Sequence, residues 1–484
     1  MSSENQATRE ANQEFISKKQ RLFSPMAETS SNGSAAAASV TLIPEDHLFS
    51  ILLLLPVESI LCFAMTCKKL KSLAYSDSLW ESICKRDWGH IPVDSLKGSN
   101  RLHQFPWKKL YHQVYLLDSV FCTRLLSHKN PDAVLEILPC PRASHSLNLV
   151  SGCLVLFGGG CEGGRHCDDT WVAYIGNDFK RKLNWQKIAS GIPSGRFGHS
   201  CIVINDSLIL FGGINDHGAR QNDTWIGRLT LHDRSGSITL SWRLLDITST
   251  APPPRGAHAC CSLNNKRMVI HGGIGLSGLR LGDTWILNLS EDLCFGRWAQ
   301  VVVDQNCPPS RSGHTLTHIG GEQTILFGGR GVGYEVLHDV WLLDGATSSD
   351  EEGNWRWRQV LFELHSVPRG FDLPRVGHSA SLIIGRRLLI YGGEDSNRRR
   401  KDDFWVLDIG SMVNGVYRKM WRRVESEGER PNCRSFHGGC VDDSGRFLYV
   451  HGGMVDGVIQ PSDPSGLRFD GESFVVEVVV LQQP

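Results

Sequence analysis

The sequence predicts a mainly β fold, a six-bladed β-propeller preceded by a small all-α segment, and three observations carry that prediction. An Arg-x-x-His motif recurs six times along the chain at a near-constant interval, from His145 to His437. A glycine pair follows each motif at an offset from the arginine that varies by no more than two positions. Ahead of all six, residues 41–88 show a helical period in place of the alternation seen downstream.

The motifs are Arg142/His145, Arg196/His199, Arg255/His258, Arg311/His314, Arg375/His378 and Arg434/His437. The pairs are Gly158-Gly159, Gly212-Gly213, Gly272-Gly273, Gly328-Gly329, Gly392-Gly393 and Gly452-Gly453. Thirteen residues past the first glycine of the first five pairs stands a tryptophan, with an aspartate two residues before it: DTW, DTW, DTW, DVW and DFW. A second tryptophan follows each time, at Trp185, Trp242, Trp298, Trp355 or Trp357, and Trp421. The segments between these markers run four to eight residues, are rich in Val, Ile, Leu and Trp, and are bounded by Gly, Asn, Asp and Pro. Each repeat therefore reads as four antiparallel strands. Sheets of that size repeated six times are too twisted to stack flat and close radially.

The glycine pair, the aspartate eleven residues on and the two spaced tryptophans resemble the kelch repeat over roughly residues 133 to 481. The sixth repeat departs from the pattern: it lacks both tryptophans, has Ser465 where the first is due, and resumes a strand pattern only at residues 473–481. It has no room for a fourth strand. The stretch AVLEILPCPR precedes the first Arg-x-x-His as a fourth strand precedes the later ones, so residues 133–138 are expected to close the ring from the N-terminal side and remove its open edges. The propeller domain is thus expected to span 133–484.

One histidine per blade at one strand position makes a wide ring, unlike the convergent ligands a metal needs, so no metal is expected and the histidines are expected to hydrogen-bond backbone between blades. In kelch propellers the head of the inner strand lies near the mouth of the central channel. By that resemblance Arg142, Arg196, Arg255, Arg311, Arg375 and Arg434 encircle one face, and the expectation is a docking face for an acidic or phosphorylated target. The loops after the glycine pairs differ in every blade, which is where a repeated frame carries specificity. Arg398 to Lys401 forms a compact basic cluster, read as a solvated loop tip.

Upstream, apolar residues 48, 51, 52 and 55 follow one helical face, Pro56 ends that helix, and Val57, Ile60, Leu61 and Ala64 begin another. The run Leu42, Pro44, Leu48, Ile51, Leu55, Pro56, Leu61, Cys67, Lys68, Leu73 and Trp80 resembles an F-box. The resemblance implies docking of a Skp-family adaptor, and through it a cullin-RING ubiquitin ligase, by Pro44, Leu48, Ile51, Leu55 and Pro56. Residues 89–132 carry Trp107, Leu110, Tyr111, Val114, Leu117 and Phe121 at helical spacing and are expected to form a helical connector. Residues 1–40 are polar and of low complexity, and no fixed structure is expected there.

Composition narrows the function classes. Lys plus Arg equals Asp plus Glu, 51 each, so no global field favours nucleic acid or an anionic membrane. Fifteen cysteines without a Cys-x-x-Cys pair, many in apolar runs, fit a reducing compartment, and the expectation is cytoplasm and/or nucleus. The apolar run ILLLLPV is far short of a bilayer span. No Gly-x-Ser-x-Gly, phosphate loop or His-Glu-x-x-His occurs, so no catalytic residue is expected. The reading is a non-catalytic substrate receptor of a Skp–cullin–F-box ligase; the alternatives are a non-degradative kelch scaffold and a propeller oxidase. The resemblance is strongest to plant F-box/kelch proteins, some of which carry a flavin-binding light sensor ahead of the F-box. Only a polar tail stands there in this sequence, so no flavin or other cofactor is expected.

Overall fold

The computed structural model describes residues 43–98, 105–127, 138–175, 182–189, 191–232, 237–302, 306–345, 355–362, 373–410, 421–456 and 468–479. The chain divides into two compact units, one ending at Leu79 and the other beginning at Trp80. The first contains α1 (Glu45–Leu54), α2 (Val57–Ala64) and α3 (Lys68–Ala74). Pro44 and Pro56 occupy the N-caps of α1 and α2 with extended ψ of 145° and 150°, so each proline ends what precedes it and starts the next helix. Glu45 and Asp46 sit in the first turn of α1, where the helix dipole favours negative charge. Leu48, Leu52, Ile60, Ala64, Leu70 and Ala74 are buried. Among the described residues no helix is long and apolar enough to cross a membrane.

Helix α4 (Asp77–Trp88) straddles the boundary, and the second unit continues with α5 (His90–Lys97) and α6 (Trp107–Leu116). Tyr111 of α6 stacks on Trp88 at 5.5 Å, meets Trp80 edge-on, and donates its hydroxyl to Asp87 at 2.8 Å. Helix α6 ends at Leu117, which takes a left-handed conformation, and Arg387 of the fifth blade donates to the freed carbonyls of Val114 and Tyr115. The helical spacing that runs through Leu117 to Phe121 stops short in the structure, because Ser119–Ser127 is a strand.

That strand corrects the expected closure of the ring. Ser119–Ser127 pairs antiparallel with Arg468–Glu477, register Thr123 with Val475, and is the fourth strand of blade six. Residues 133–137, expected in this role, lie outside the described residues. Val120 and Cys122 are buried on one face of the strand and Leu125 on the other, while Arg124 is exposed, so neighbours cover part of both faces. Tertiary pairing here overrides a local helical pattern.

Six antiparallel sheets follow one another: blade one is Ser146–Val150, Cys153–Phe157, Thr170–Tyr174 and Trp185–Ala189, and blade two repeats the plan from Ser200 to Leu244. Blades three, four and five run from Ala259 to Gln300, Thr315 to Val360 and Ser379 to Gly428. Blade six is Gly438–Val441, Phe447–Val455, Arg468–Glu477 and the closing strand. The innermost strands neighbour one another in an unbroken cycle from blade one to six and back. The apolar cores lie between blades: Trp285 and Trp298 with Ile204 and Phe211 between two and three, Trp341 and Trp357 with Leu263 between three and four. Of the two candidates in blade four, Trp357 is the buried one.

A ring of backbone hydrogen bonds fastens the axis. The residue before each repeat histidine donates its N–H to the carbonyl of its counterpart in the preceding blade: Gly198 to Ser144, Ala257 to Gly198, Gly313 to Ala257, Gly377 to Gly313, Phe436 to Gly377 and Ser144 to Phe436, all at 2.6–2.9 Å. All six residues have φ between 54° and 68°, which explains the small side chains at five of these positions and makes Phe436 an exception.

Candidate functional site

The six arginines are 0–2 % exposed and form no open docking face. Each pairs inside its own blade with an aspartate: Arg142 with Asp169, Arg196 with Asp223, Arg255 with Asp283, Arg311 with Asp339, Arg375 with Asp403 and Arg434 with Asp470, at 2.6–2.9 Å. In blades one to four and in blade six the same guanidinium reaches the carbonyl of the first glycine of the pair, as Arg311 does to Gly328 at 2.9 Å. In five blades the aspartate also accepts from the tryptophan two residues on, at 2.6–2.8 Å. Burial works against the carboxylates of Asp169, Asp283 and Asp339, but their arginine partners outweigh it and hold them below the ordinary Asp range. The expected positive ring is therefore corrected: each charge is neutralised and enclosed where it stands.

The histidines do link blades, through side-chain hydroxyls where backbone was expected. His199 meets Ser146, His258 meets Ser200, His378 meets Thr315 and His437 meets Ser379, each through Nε2 at 2.7–3.0 Å. The partner is the residue after the previous blade's histidine. Where that residue is Ala259 or Gly438, the strand before the glycine pair brings up a histidine: His271 hydrogen-bonds His314 at 3.1 Å, whereas His451 bonds Ser473 and meets His145 only edge-on, ring to ring. Burial holds His199, His258, His271, His378, His437 and His451 down to about 3, and His145 and His314 well below the ordinary value, so the ring is neutral.

The exposed chemistry lies on the loops after the glycine pairs. Five of them share one turn, closed by hydrogen bonds such as Asn215 N–H to Ala219 and Gly331 N–H to Glu335. Leu276 and Leu279 project from the blade-three loop, Val332 and Tyr334 from the next, all exposed by more than half. Arg280 lies over the Tyr334 ring at 4.4 Å and joins the two loops. On blade five Arg398 and Arg399 are exposed, while Arg400 binds Asp456 at 2.6 Å and Lys401 binds Asp395 at 2.6 Å. Apolar tips beside a basic tip are a surface that can seat an apolar side chain flanked by negative charge. Sequence reasoning located these loops without seeing that blades three to five carry the apolar and basic tips side by side.

At the opposite ends of the inner strands a cavity of about 960 Å³ is lined by Asn148, Cys201, Ser262 and Cys440, with Ile91 and Ser95 from α5. Burial pushes the Cys201 and Cys440 thiols up, so they sit there protonated. A different thiol group, Cys140, Cys161 and Cys167, gathers at the rim of blade one with its sulfurs within 4.8 Å of one another. None of the repeat histidines belongs to this group, whose three cysteines are spread over two stretches of the sequence.

In the helical unit Pro44, Ile51 and Pro56 are exposed and Leu55 is half-buried. Leu48 is 2 % exposed and is a core residue, which removes it from the expected adaptor-binding set. Leu54 at 85 % and Met65 at 64 % stand out instead. The F-box-like family matches residues 40–86. The family of KLHDC2/KLHL20/DRC7 Kelch-repeats domains matches residues 109–329 and 237–370. An F-box/kelch-repeat protein of Arabidopsis thaliana is 53% identical over 461 residues, covering 92% of this chain and 94% of its own length. The chain belongs to the F-box/kelch-repeat family. Adagio-like protein 1 of Oryza sativa subsp. japonica is 28% identical over 411 residues; there the match covers 83% of this F-box/kelch chain but 60% of the relative. Among solved structures, that of YjhT superposes with a TM-score of 0.48 at 15% identity, covering 70% of this chain and 96% of the other. An F-box joined to kelch repeats is an architecture typical of substrate adaptors.

Proposed function

We propose that this F-box/kelch protein is the substrate receptor of a Skp–cullin–F-box ubiquitin ligase. The observation that carries the reading is the joining, in one chain, of an F-box unit that exposes Ile51, Leu54 and Pro56 to a propeller whose glycine-pair loops expose Leu276, Leu279, Val332 and Tyr334. Short helices that leave such side chains in water need a partner to cover them, and a Skp-family adaptor is the partner the family implies. The target sits on the loops of blades three to five, with an apolar anchor against Leu279 and Tyr334 and an acidic or phosphorylated group at Arg398 and Arg399. Ubiquitin transfer takes place on other subunits, so the chain supplies binding and orientation and performs no bond chemistry itself.

Co-purification with a Skp-family adaptor tests the first half. The intact chain is expected to retain the adaptor and Ile51→Asp with Leu54→Asp to lose it, at unchanged circular dichroism. An intact chain that retains no adaptor overturns the reading, as does a double variant that still binds.

A further inference from the structure

We propose that Cys140, Cys161 and Cys167 form a binding site for a thiophilic metal ion, Zn²⁺, at the rim of the first blade. The inference stands independently of the ligase reading.

The three positions meet by construction of the fold. One lies two residues before the repeat arginine, one two residues after the glycine pair, and one two residues before the repeat aspartate. Blade two holds Ser194, Asn215 and Gln221 there, and blade five holds Leu373, Asp395 and Lys401, the last two ion-paired at 2.6 Å. Among the six blades the first alone has thiols at all three points. In blade two Arg196 donates to the Ser194 hydroxyl at 3.0 Å; in blade one Arg142 donates to the Cys140 sulfur at 3.2 Å. A single cysteine would be a plain substitute for that hydroxyl. Three that converge make a ligand set.

Geometry and charge fit the ion. Cys140 and Cys167 sulfurs lie 3.7 Å apart, and tetrahedral zinc with Zn–S bonds of about 2.3 Å spaces its sulfurs about 3.8 Å apart. The Cys161 sulfur lies within 4.8 Å of both, so a small side-chain rotation completes the face. Three thiolates around a divalent ion leave one negative charge; Arg142, already neutralised by Asp169, contributes a hydrogen bond to the Cys140 sulfur, and the exposed Arg165 guanidinium beside Cys161 is left to offset the charge. Binding releases the thiol protons to solvent and leaves the fourth position of the tetrahedron to water. The ion would tie the loop 161–167 to the segment that leads into the inner strand.

The full chain, reduced and stripped with chelator, is titrated with Co²⁺ and then Zn²⁺. One equivalent of Co²⁺ is expected to give a sulfur-to-cobalt charge-transfer band that Zn²⁺ abolishes. Cys140→Ser, Cys161→Ser and Cys167→Ser should each remove about a third of that intensity and weaken binding more than about tenfold, while Cys294→Ser changes neither. Where a variant fails to fold, alkylation of the intact chain decides: Zn²⁺ should protect these three thiols selectively. Absence of the charge-transfer band at one equivalent, its survival in the triple variant, or equal alkylation with and without Zn²⁺ overturns the proposal. So does a Cys140–Cys167 disulfide in air with no metal uptake by the reduced chain.

Discussion

Arg311 grips Asp339 with both ends of its guanidinium, Nη1 to Oδ1 at 2.6 Å and Nη2 to Oδ2 at 2.7 Å, and gives two further donors to the carbonyls of Pro309 and Gly328. One buried side chain thus ties the lead-in of the inner strand, the glycine turn and the head of the third strand into a unit. Replacing Arg311 by Ala strands the Asp339 charge and should cost about 3–5 kcal/mol in urea unfolding. Arg311→Lys should recover little of it, because an ammonium cannot fork to two oxygens and a carbonyl at once. A loss under about 1 kcal/mol, the size of a surface pair, would show the pair to be solvated.

The histidine ring makes stability depend on pH. Each ring histidine is held below its ordinary value of 6.5 in the folded state, so between that value and about 3 the unfolded chain binds more protons and folding weakens as pH falls. Every such histidine removes about 1.4 kcal/mol per pH unit across that window, and none contributes above about pH 7. Urea midpoints measured from neutral pH downward should therefore drop steeply once the ordinary histidine value is passed, well before Asp169, Asp283 and Asp339, which their arginines hold below the ordinary Asp range, protonate. His378→Gln should flatten the slope by one proton; an unchanged slope would mean that His378 is protonated in the fold.

Two glycines separate backbone strain from collision. Gly278 and Gly328 both have positive φ, 78° and 66°, but a Cβ on Gly278 meets nothing within 4 Å while one on Gly328 falls 2.7 Å from the carbonyl of Arg375 in the next blade. Gly278→Ala should cost about 1–2 kcal/mol, the left-handed penalty alone. Gly328→Ala should cost that plus about 1–3 kcal/mol for forcing two blades apart. Equal losses in thermal unfolding would refute the collision.

The repeat was legible because its markers keep a fixed register, and that register is the backbone ring and glycine contacts seen at the axis. The partner of each arginine was also in view: Asp169, Asp223, Asp283, Asp339 and Asp403 follow their arginines at an offset constant to within one position. Treating arginine and aspartate as separate features turned a set of closed ion pairs into a supposed positive face. The sixth aspartate, Asp470, was hidden by a longer loop, which sets it further past Gly452 than its counterparts stand past their own glycine pairs. Leu48 shows the limit of a motif, since helical spacing tells that Leu48 and Ile51 share a face but leaves open which of them the fold buries. The thiol cluster was invisible because Cys140 stands well apart from Cys161 and Cys167 along the chain, and only the pairing of Arg142 with Cys161 across one blade brings the three together.

The closing strand supplies the last prediction. Residues Ser119–Ser127 lie between Arg468–Glu477 and, at their start, Glu425–Gly428 of blade five, so removing them exposes two runs of backbone donors and acceptors at once. Their removal also withdraws Val120, Cys122 and Leu125 from the interior, and Leu125 belongs to the core between blades six and one. A chain of residues 80–484 is expected to run as a monomer in size-exclusion chromatography, whereas 128–484, with every arginine and glycine marker still present, should aggregate through its open edge. Adding a synthetic peptide of residues 117–128 during refolding should restore the monomer, because the peptide completes the sheet in trans. A monomeric 128–484 would instead place the closing strand in residues 133–138.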